Sequence, residues 1–420
     1  MKKLGKIAHE VKNFNDIVEV SKQMLPVSDE VLKERQGRSF TIEHSRFGLE
    51  NRLAYLKQKG IKLSHLVSSI DQHDLESFKG NIENFIGMAQ IPIGLAGPLW
   101  INGKHASGEF FVPMSTTEGA LVASYNRGMR AIKMARGVSV LCLSEGVQRS
   151  PYFKFENIGT VGLFIKWVYD HTEIFHELVG ETSRFAKLID ISTKVEGNSV
   201  ILTFEYTTGD AAGQNMVTIC TDRICKFILS EFEHTPLEWY IESNYSGDKK
   251  ATALSFSNVR GKKVTAEITI EKEIVERVLQ TTPEKMEKYC RASTLGVAQT
   301  GAIGIQGHVA NGLTALFIAC GQDVACISES SVGITRMEVN ENGDLYTAVT
   351  LPSLIVGTVG GGTGLPTQKE ALEMLDCYGM GKAKKFAEIC CAVALAGELS
   401  IVAAMSVDHF TRAHKKLGRS

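Results

Sequence analysis

The sequence predicts an α/β protein of the α+β type, with a large helix-rich α/β domain and a small mid-chain α/β unit that is not a Rossmann fold. Three observations lead there. The chain has 420 residues, 44% of them hydrophobic and 22% charged, enough for a large core and more than one domain usually needs. Between about residues 151 and 240 the patterns alternate between strand and helix, which fits a compact subdomain. No G-x-G-x-x-G follows a strand, and the glycine-dense residues 357–364 (GTVGGGTG) lack the G-K-[ST] ending of a P-loop.

The first sixty residues or so are polar and charge-rich. Ile17, Val20, Met24 and Leu32 stand at helical spacing there, so a helical arm or cap is expected. From Asn81 onward, Ile86, Ile91, Ile93 and Leu95 interleave with Gly and Pro, the texture of turns and short strands. Residues 115–135 carry Leu121, Val122, Tyr125, Met129 and Ile132 three and four apart, a helix pattern. In the mid-chain unit, 164–178 reads as a helix, 200–206 as a β-rich strand and 216–232 as a second helix. Further on, 264–270 reads as a strand, and 308–323 and 382–416 as helices. The most apolar stretch, 389–405, is 17 residues long and carries Glu398 near its centre, which favours a buried core helix over a bilayer span. The run at 357–364 must be a backbone feature, either a tight turn or a place where another group comes close to the main chain.

Charge and cysteine content exclude several functions. Lys and Arg number 46 against 47 Asp and Glu, a formal net charge of -1, so no global field favours nucleic acid or an anionic membrane. Gly5, Lys6, His9, Glu10 and Lys12 interrupt what a secretory peptide would keep apolar. The nine cysteines are odd in number and form no C-x-x-C pair, so they read as reduced core thiols. With no H-E-x-x-H either, a metal site is not expected.

Four places could carry chemistry. Ser115-Thr116-Thr117-Glu118 matches a capping box, in which Glu118 would only satisfy a backbone donor; as a functional acid it would need a dry pocket and a raised pKa. Asp248-Lys249-Lys250 lies on a glycine-containing loop, normally a solvated run, although a loop can aim both lysines at one site and Trp239, Tyr240, Ile241 and Tyr245 precede it. Asp323 follows the apolar Leu313, Leu316 and Phe317, as a hydrogen-bonded core residue or a perturbed functional acid. His409 and His414 are five apart, so they face different sides of a helix and form no metal pair.

Residues 83–87 (ENFIG), 91–98 (IPIGLAGP), 112–119 (VPMSTTEG), 210–216 (DAAGQNM), 248–250 (DKK), 321–323 (GQD) and 357–363 (GTVGGGT) follow one another in that order. Together they resemble the 3-hydroxy-3-methylglutaryl-CoA reductase family, in its mevalonate-forming class, over roughly residues 80 to 420. The resemblance implies Glu118, Lys249, Asp323 and His414 as catalytic residues, His414 being placed by ungapped extension from 396–400 (AGELS). It implies Arg149, Asn244, Lys250 and Asn311 at the substrate, and Ser183, Arg184, Asp210 and Asn215 at the cofactor. Residues 182–185 match the segment that holds the 2'-phosphate, so NADPH is preferred over NADH. Departures stand at Ala89-Gln90, where the family has Met-Pro, at Ala212 and Gln214 for methionines, and at Glu242, where a serine usually touches substrate.

Family architecture further implies a ferredoxin-like, cofactor-binding small subdomain inserted in the large domain. The expected division is 1–60, an N-terminal helical region; 61–150, the first part of the substrate-binding domain; 151–240, the NADP-binding insert; and 241–420, the second part, ending in a catalytic flap. Active sites would form between subunits of a cytoplasmic homodimer or homotetramer, with no nucleic acid or membrane partner. The implied reaction turns 3-hydroxy-3-methylglutaryl-CoA into mevalonate and CoA by two hydride transfers, through a hemithioacetal and an aldehyde. Each hydride pushes charge onto oxygen, which the Lys249 ammonium would meet. Glu118 would protonate the alkoxide while Asp323 tunes the pair, and His414, with a reference pKa of about 6.5, would protonate the departing thiolate of pKa about 8.5. NAD-dependent mevalonate oxidation and a non-catalytic CoA-binding sensor of the same fold are the alternatives.

Overall fold

A computed structural model describes residues 45–62 and 75–407. The expected helical arm around Ile17 to Leu32 and the histidines His409 and His414 lie outside the described residues. The chain forms two compact units, Met1–Met88 and Ala89–Ser420.

In the first unit, α1 (Arg46–Gln58) begins at Ser45, whose side chain accepts the Gly48 N–H and so satisfies one of the helix's open donors. Arg52 on this helix is buried and donates from Nε to the Phe85 carbonyl at 3.1 Å. Phe78 stacks on Phe85 with ring centroids 4.7 Å apart.

The second unit holds the strands β1 (Ile93–Gly103), β2 (Ser107–Ser115), β3 (Val138–Arg149), β4 (Tyr152–Lys154), β5 (Lys187–Glu196), β6 (Ser199–Thr207), β7 (Glu238–Tyr240), β8 (Gly261–Ile270), β9 (Ile334–Val339) and β10 (Leu345–Leu354). Its helices are α2 (Leu121–Met134), α3 (Ile158–Asp170), α4 (Thr172–Thr182), α5 (Gln214–Glu231), α6 (Pro283–Thr300), α7 (Val309–Ala319), α8 (Pro366–Met374) and α9 (Ala383–Ser406), with shorter helical turns between. The strands join in one sheet ordered β7-β4-β6-β3-β8-β10-β9, with β1 beside β2 and β3, and β5 beside β6. Strand β3 serves both regions: Ser139 to Gly146 pair antiparallel with β8, and Val147 to Arg149 pair with β6.

Each region has its own core. In the larger one, alternate residues Val264, Ala266, Ile268 and Ile270 of β8 are buried, and α9 packs against β8 and β10. By length and composition α9 could cross a bilayer, but most of it is enclosed by the protein. Its two acids are fully buried and satisfied. Glu388 accepts the N–H groups of His105, Ala106 and Cys142, and Glu398 those of Gly307 and His308 plus the Thr335 hydroxyl. The smaller region runs β4-α3-α4-β5-β6-α5-β7 around an aromatic core of Phe153, Phe155, Phe164, Phe175, Phe204 and Tyr206. All nine cysteines are free thiols.

Several boundaries differ from the sequence reading. The helix expected at 115–135 starts at Leu121, because β2 continues through Ser115 and the chain turns at Ala120 with φ 69°. Ser115 and Glu118 therefore form no capping box; the Thr116 hydroxyl accepts the Glu118 N–H instead. The helix expected at 164–178 is two helices, broken at His171, whose Nδ1 lies 2.8 Å from the Trp167 carbonyl. The one expected at 308–323 stops at Ala319, just before Gly321 at φ 66°. Helix α6 has no counterpart in the reading, although Thr282 as cap and Pro283 at its first position are a start signal.

Candidate active site

Lys249 sits on the loop after β7 with φ 56°, following the left-handed Asn244 at φ 64° and Gly247 at φ 73°. A non-glycine residue holds that conformation only where its surroundings compensate. Here the Lys249 N–H donates to Glu329 Oε1 at 3.0 Å. Glu329 is 1% exposed and takes Arg260 Nε on its other oxygen at 2.7 Å. Arg260 then reaches Asp248 at 3.0 Å, and Arg149 joins Asp248 at 3.3 Å and Glu242 at 3.2 Å. Five side chains of alternating charge thus lie under the loop. Burial pushes the Glu329 carboxyl up, while the Arg260 charge and hydrogen bond act the other way.

Above this base, Lys249 Nζ lies 2.9 Å from Asp323 Oδ2, both side chains about half exposed. Asp323 uses Oδ1 to accept the Ala325 N–H, capping a short 3-10 turn, Val324–Cys326. The hydrogen bond to Asp323 raises the Lys249 pKa above the ordinary lysine range. Partial burial works to raise Asp323, but the hydrogen bonds from Lys249 and the Ala325 N–H outweigh it and hold the carboxyl below its usual range. The pair is ionised at neutral pH. Lys250 goes elsewhere, to Asn244 Oδ1 at 3.1 Å and the Asp248 carbonyl at 3.0 Å.

Glu118 and Asn311 line a cavity of about 460 Å³ together with Tyr125, Arg127, His308 and Ile401. Glu118 itself is exposed, on the turn between β2 and α2, so the dry pocket required of it is not present around one chain. No hydrogen bond or ion pair joins it to Lys249 or Asp323 among the described residues. The structure brings together Lys249 with Asp323, Lys250 with Asn244, and Glu118 with Asn311; Arg149 is buried beside Asp248.

The residues matched to a cofactor site fall in or beside the smaller region. Ser183 closes α4, its hydroxyl accepting the N–H groups of Phe185 and Ala186. Arg184 is exposed and has no ion-pair partner among the described residues, and Asn215 is exposed in the first turn of α5. Asp210 lies ahead of that helix, which starts at Gln214 behind Gly213, and accepts the N–H groups of Gly381 and Ala383 at the start of α9, at 2.7 and 3.0 Å. The group that comes close to the glycine run is the chain's own backbone. A Cβ on Gly357 would lie 2.6 Å from the Ala212 nitrogen, and one on Gly362 would lie 2.7 Å from the Gly321 carbonyl oxygen. Glu329 and Arg260 escaped the sequence reading, although Glu329 carries the signal that singled out Asp323, a lone acid near apolar residues.

A lysine kept charged by a neighbouring acid is the kind of group with which an enzyme stabilises negative charge developing on oxygen. The chain belongs to the hydroxymethylglutaryl-coenzyme A reductase family, whose model matches residues 48–419. It is 43% identical to the 3-hydroxy-3-methylglutaryl-coenzyme A reductase of Pyrococcus abyssi over 416 residues, covering 97% of this chain and 100% of that protein. It is 40% identical to the enzyme of that name from Methanocaldococcus jannaschii, also over 416 residues, with 97% and 100% covered. The fold is similar to that of the class II 3-hydroxy-3-methylglutaryl-CoA reductase from Streptococcus pneumoniae bound to NADPH in open conformations, with a TM-score of 0.65, 20% identity, and 85% of this chain and 97% of that one covered.

Proposed function

We propose that this chain reduces 3-hydroxy-3-methylglutaryl-CoA to mevalonate and CoA with two molecules of NADPH, a step of isoprenoid biosynthesis by the mevalonate route. The observation that carries the reading is the Lys249–Asp323 ion pair at 2.9 Å, fixed from below by Glu329. NADPH, when bound, would supply the hydride for the thioester carbon and then for the aldehyde carbon. Lys249, kept as an ammonium by Asp323, stabilises the oxyanion at each stage. Glu118 delivers a proton to the alkoxide from the cavity it shares with Asn311. Its exposure on one chain supports an active site completed by a second subunit, in a cytoplasmic homodimer or homotetramer. His414, outside the described residues, protonates the departing thiolate.

Substrate carboxylate is held by Lys250 and Asn244, with Arg149 beneath them and Asn311 on the cavity wall. The exposed Arg184 guanidinium beside Ser183 suits the 2'-phosphate of NADPH, since arginine binds phosphate in a bidentate fork. Asn215, in the first turn of α5, adds a contact near that helix's open N–H groups. Asp210 supports the site through the cap it gives α9. The order β7-β4-β6-β5 supports reading the insert at 151–240 as ferredoxin-like, between large-domain parts at 61–150 and 241–420. The test is oxidation of NADPH by the purified protein on addition of 3-hydroxy-3-methylglutaryl-CoA, compared with NADH. No thioester-dependent oxidation sinks the reading. Arg184→Ala should lower efficiency with NADPH and leave NADH nearly unchanged.

A further inference from the structure

The wall of the Glu118 cavity contains a hydrogen-bonded pair that neither the motifs nor the proposed mechanism uses. Tyr125, on α2, is fully buried, and its hydroxyl oxygen lies 3.2 Å from Nδ1 of His308, the residue that begins α7. The two rings meet edge to face with centroids 5.5 Å apart. Glycines make room for the phenol: a Cβ on Gly312 would overlap the hydroxyl, and one on Gly397 would lie 2.5 Å from Cζ. His308 is held from its other end as well, its main-chain N–H donating to the buried Glu398 at 2.8 Å. Both His308 and Tyr125 line the cavity that holds Glu118 and Asn311.

We propose that Tyr125 is a positioning residue: its hydroxyl donates to Nδ1, fixing His308 as the Nε2–H tautomer, so that the ring offers a hydrogen-bond donor to a carbonyl-bearing ligand in this cavity. That direction requires a protonated phenol. Burial, with the Glu398 charge adding to it, raises the Tyr125 pKa far beyond the physiological range, so the hydroxyl keeps its proton. A phenol that keeps its proton can donate it to the imidazole nitrogen 3.2 Å away. A neutral imidazole that accepts at Nδ1 carries its proton on Nε2. Among the described residues, none hydrogen-bonds Nε2.

The idea rests on the cavity holding the thioester substrate, and the test separates the two claims. In 15N-histidine-labelled protein at neutral pH, long-range proton–nitrogen correlation should show His308 with Nε2 protonated and Nδ1 bare, the signals being assigned by their loss in His308→Asn. Tyr125→Phe keeps the ring and removes the donor. It should give a mixture of tautomers and lower kcat/KM for the thioester about fivefold, the worth of one hydrogen bond, with the KM for NADPH unchanged. A wild-type spectrum with the proton on Nδ1 overturns the proposal without any variant, as does a Tyr125→Phe protein with unaltered tautomer or unaltered kcat/KM. If the wild type shows this tautomer but no thioester reduction, the functional reading fails while the hydrogen-bond assignment stands, and with it only the donor's role toward that substrate is lost.

Discussion

The Lys249–Asp323 pair converts a geometric contact into a pH dependence. In the proposed mechanism Lys249 must be an ammonium, and Asp323 raises its pKa, so activity should be retained as pH rises until the raised value is passed. Asp323→Asn removes that support; the alkaline limb of kcat/KM should move to lower pH, and an unmoved limb would show that Asp323 does not set it. On the acid side the sign reverses. Asp323 is lowered, so the pair is intact above the ordinary carboxylate range and is lost only as pH falls through the depressed value. The buried base is more demanding than the exposed pair. Glu329 and Arg260 are 1% and 4% exposed, and removing Glu329 leaves the buried Arg260 charge with Asp248 alone, at a cost of about 1–3 kcal/mol. Glu329→Ala, which also removes the acceptor of the Lys249 N–H, should therefore show a loss of that size in denaturant unfolding and should release the Lys249 loop, lowering kcat. Arg260→Met added to it should recover part of the stability, because no charge is then stranded.

At the scale of elements, close approach decides what a glycine is for. Helices α2 and α9 cross at Gly128, where an added Cβ would overlap the Ala396 carbonyl. Gly128→Ala should destabilise by about 1–3 kcal/mol through overpacking. In α3, Gly162 has open space around it, so Gly162→Ala should instead stabilise, by about 0.5–1 kcal/mol from the unfolded chain's lost freedom. Thermal unfolding of the two variants checks the opposite signs. Elements were legible in the sequence where one period ran long: α5 and β8 follow their hydrophobic patterns, and α9 begins where its pattern does but ends at Ser406, short of the expected 416. The start of α2 was not, because the apolar spacing says nothing of how far the β2 ladder extends before it. The break between α3 and α4 was hidden for a related reason, since both helices present apolar residues to the same core and the count runs through His171 unbroken. Lys249 and Asp323 could be found because ordered motifs mark them. Their support could not, because the ion pairs from Glu329 to Glu242 join residues as far as 99 positions apart, with no spacing rule to reveal them.

For the whole molecule, the exposure of Glu118 and the surface of β1 make one argument. The outward residues of β1, Ile93 and Leu95, are each 53% exposed, and Phe111 on the neighbouring strand is 45% exposed. In the β1–β2 register Leu95 stands opposite Pro113, two residues from Phe111, so alternation puts all three on one face. A second copy of the chain covering this face would gain about 1 kcal/mol for each of these half-exposed aliphatic side chains. The same association is what the proposed mechanism needs, since an acid that gives its proton to an alkoxide works best out of bulk water and Glu118 on one chain is not. Ile93→Glu combined with Leu95→Glu places two carboxylates where apolar contact is required. Sedimentation should show that variant as a monomer with the fold intact by circular dichroism, and its thioester reduction should fall together with its self-association. A variant that stays associated and fully active would place the subunit contact on another face; a fully active monomer would mean that Glu118 needs no second chain to do its work.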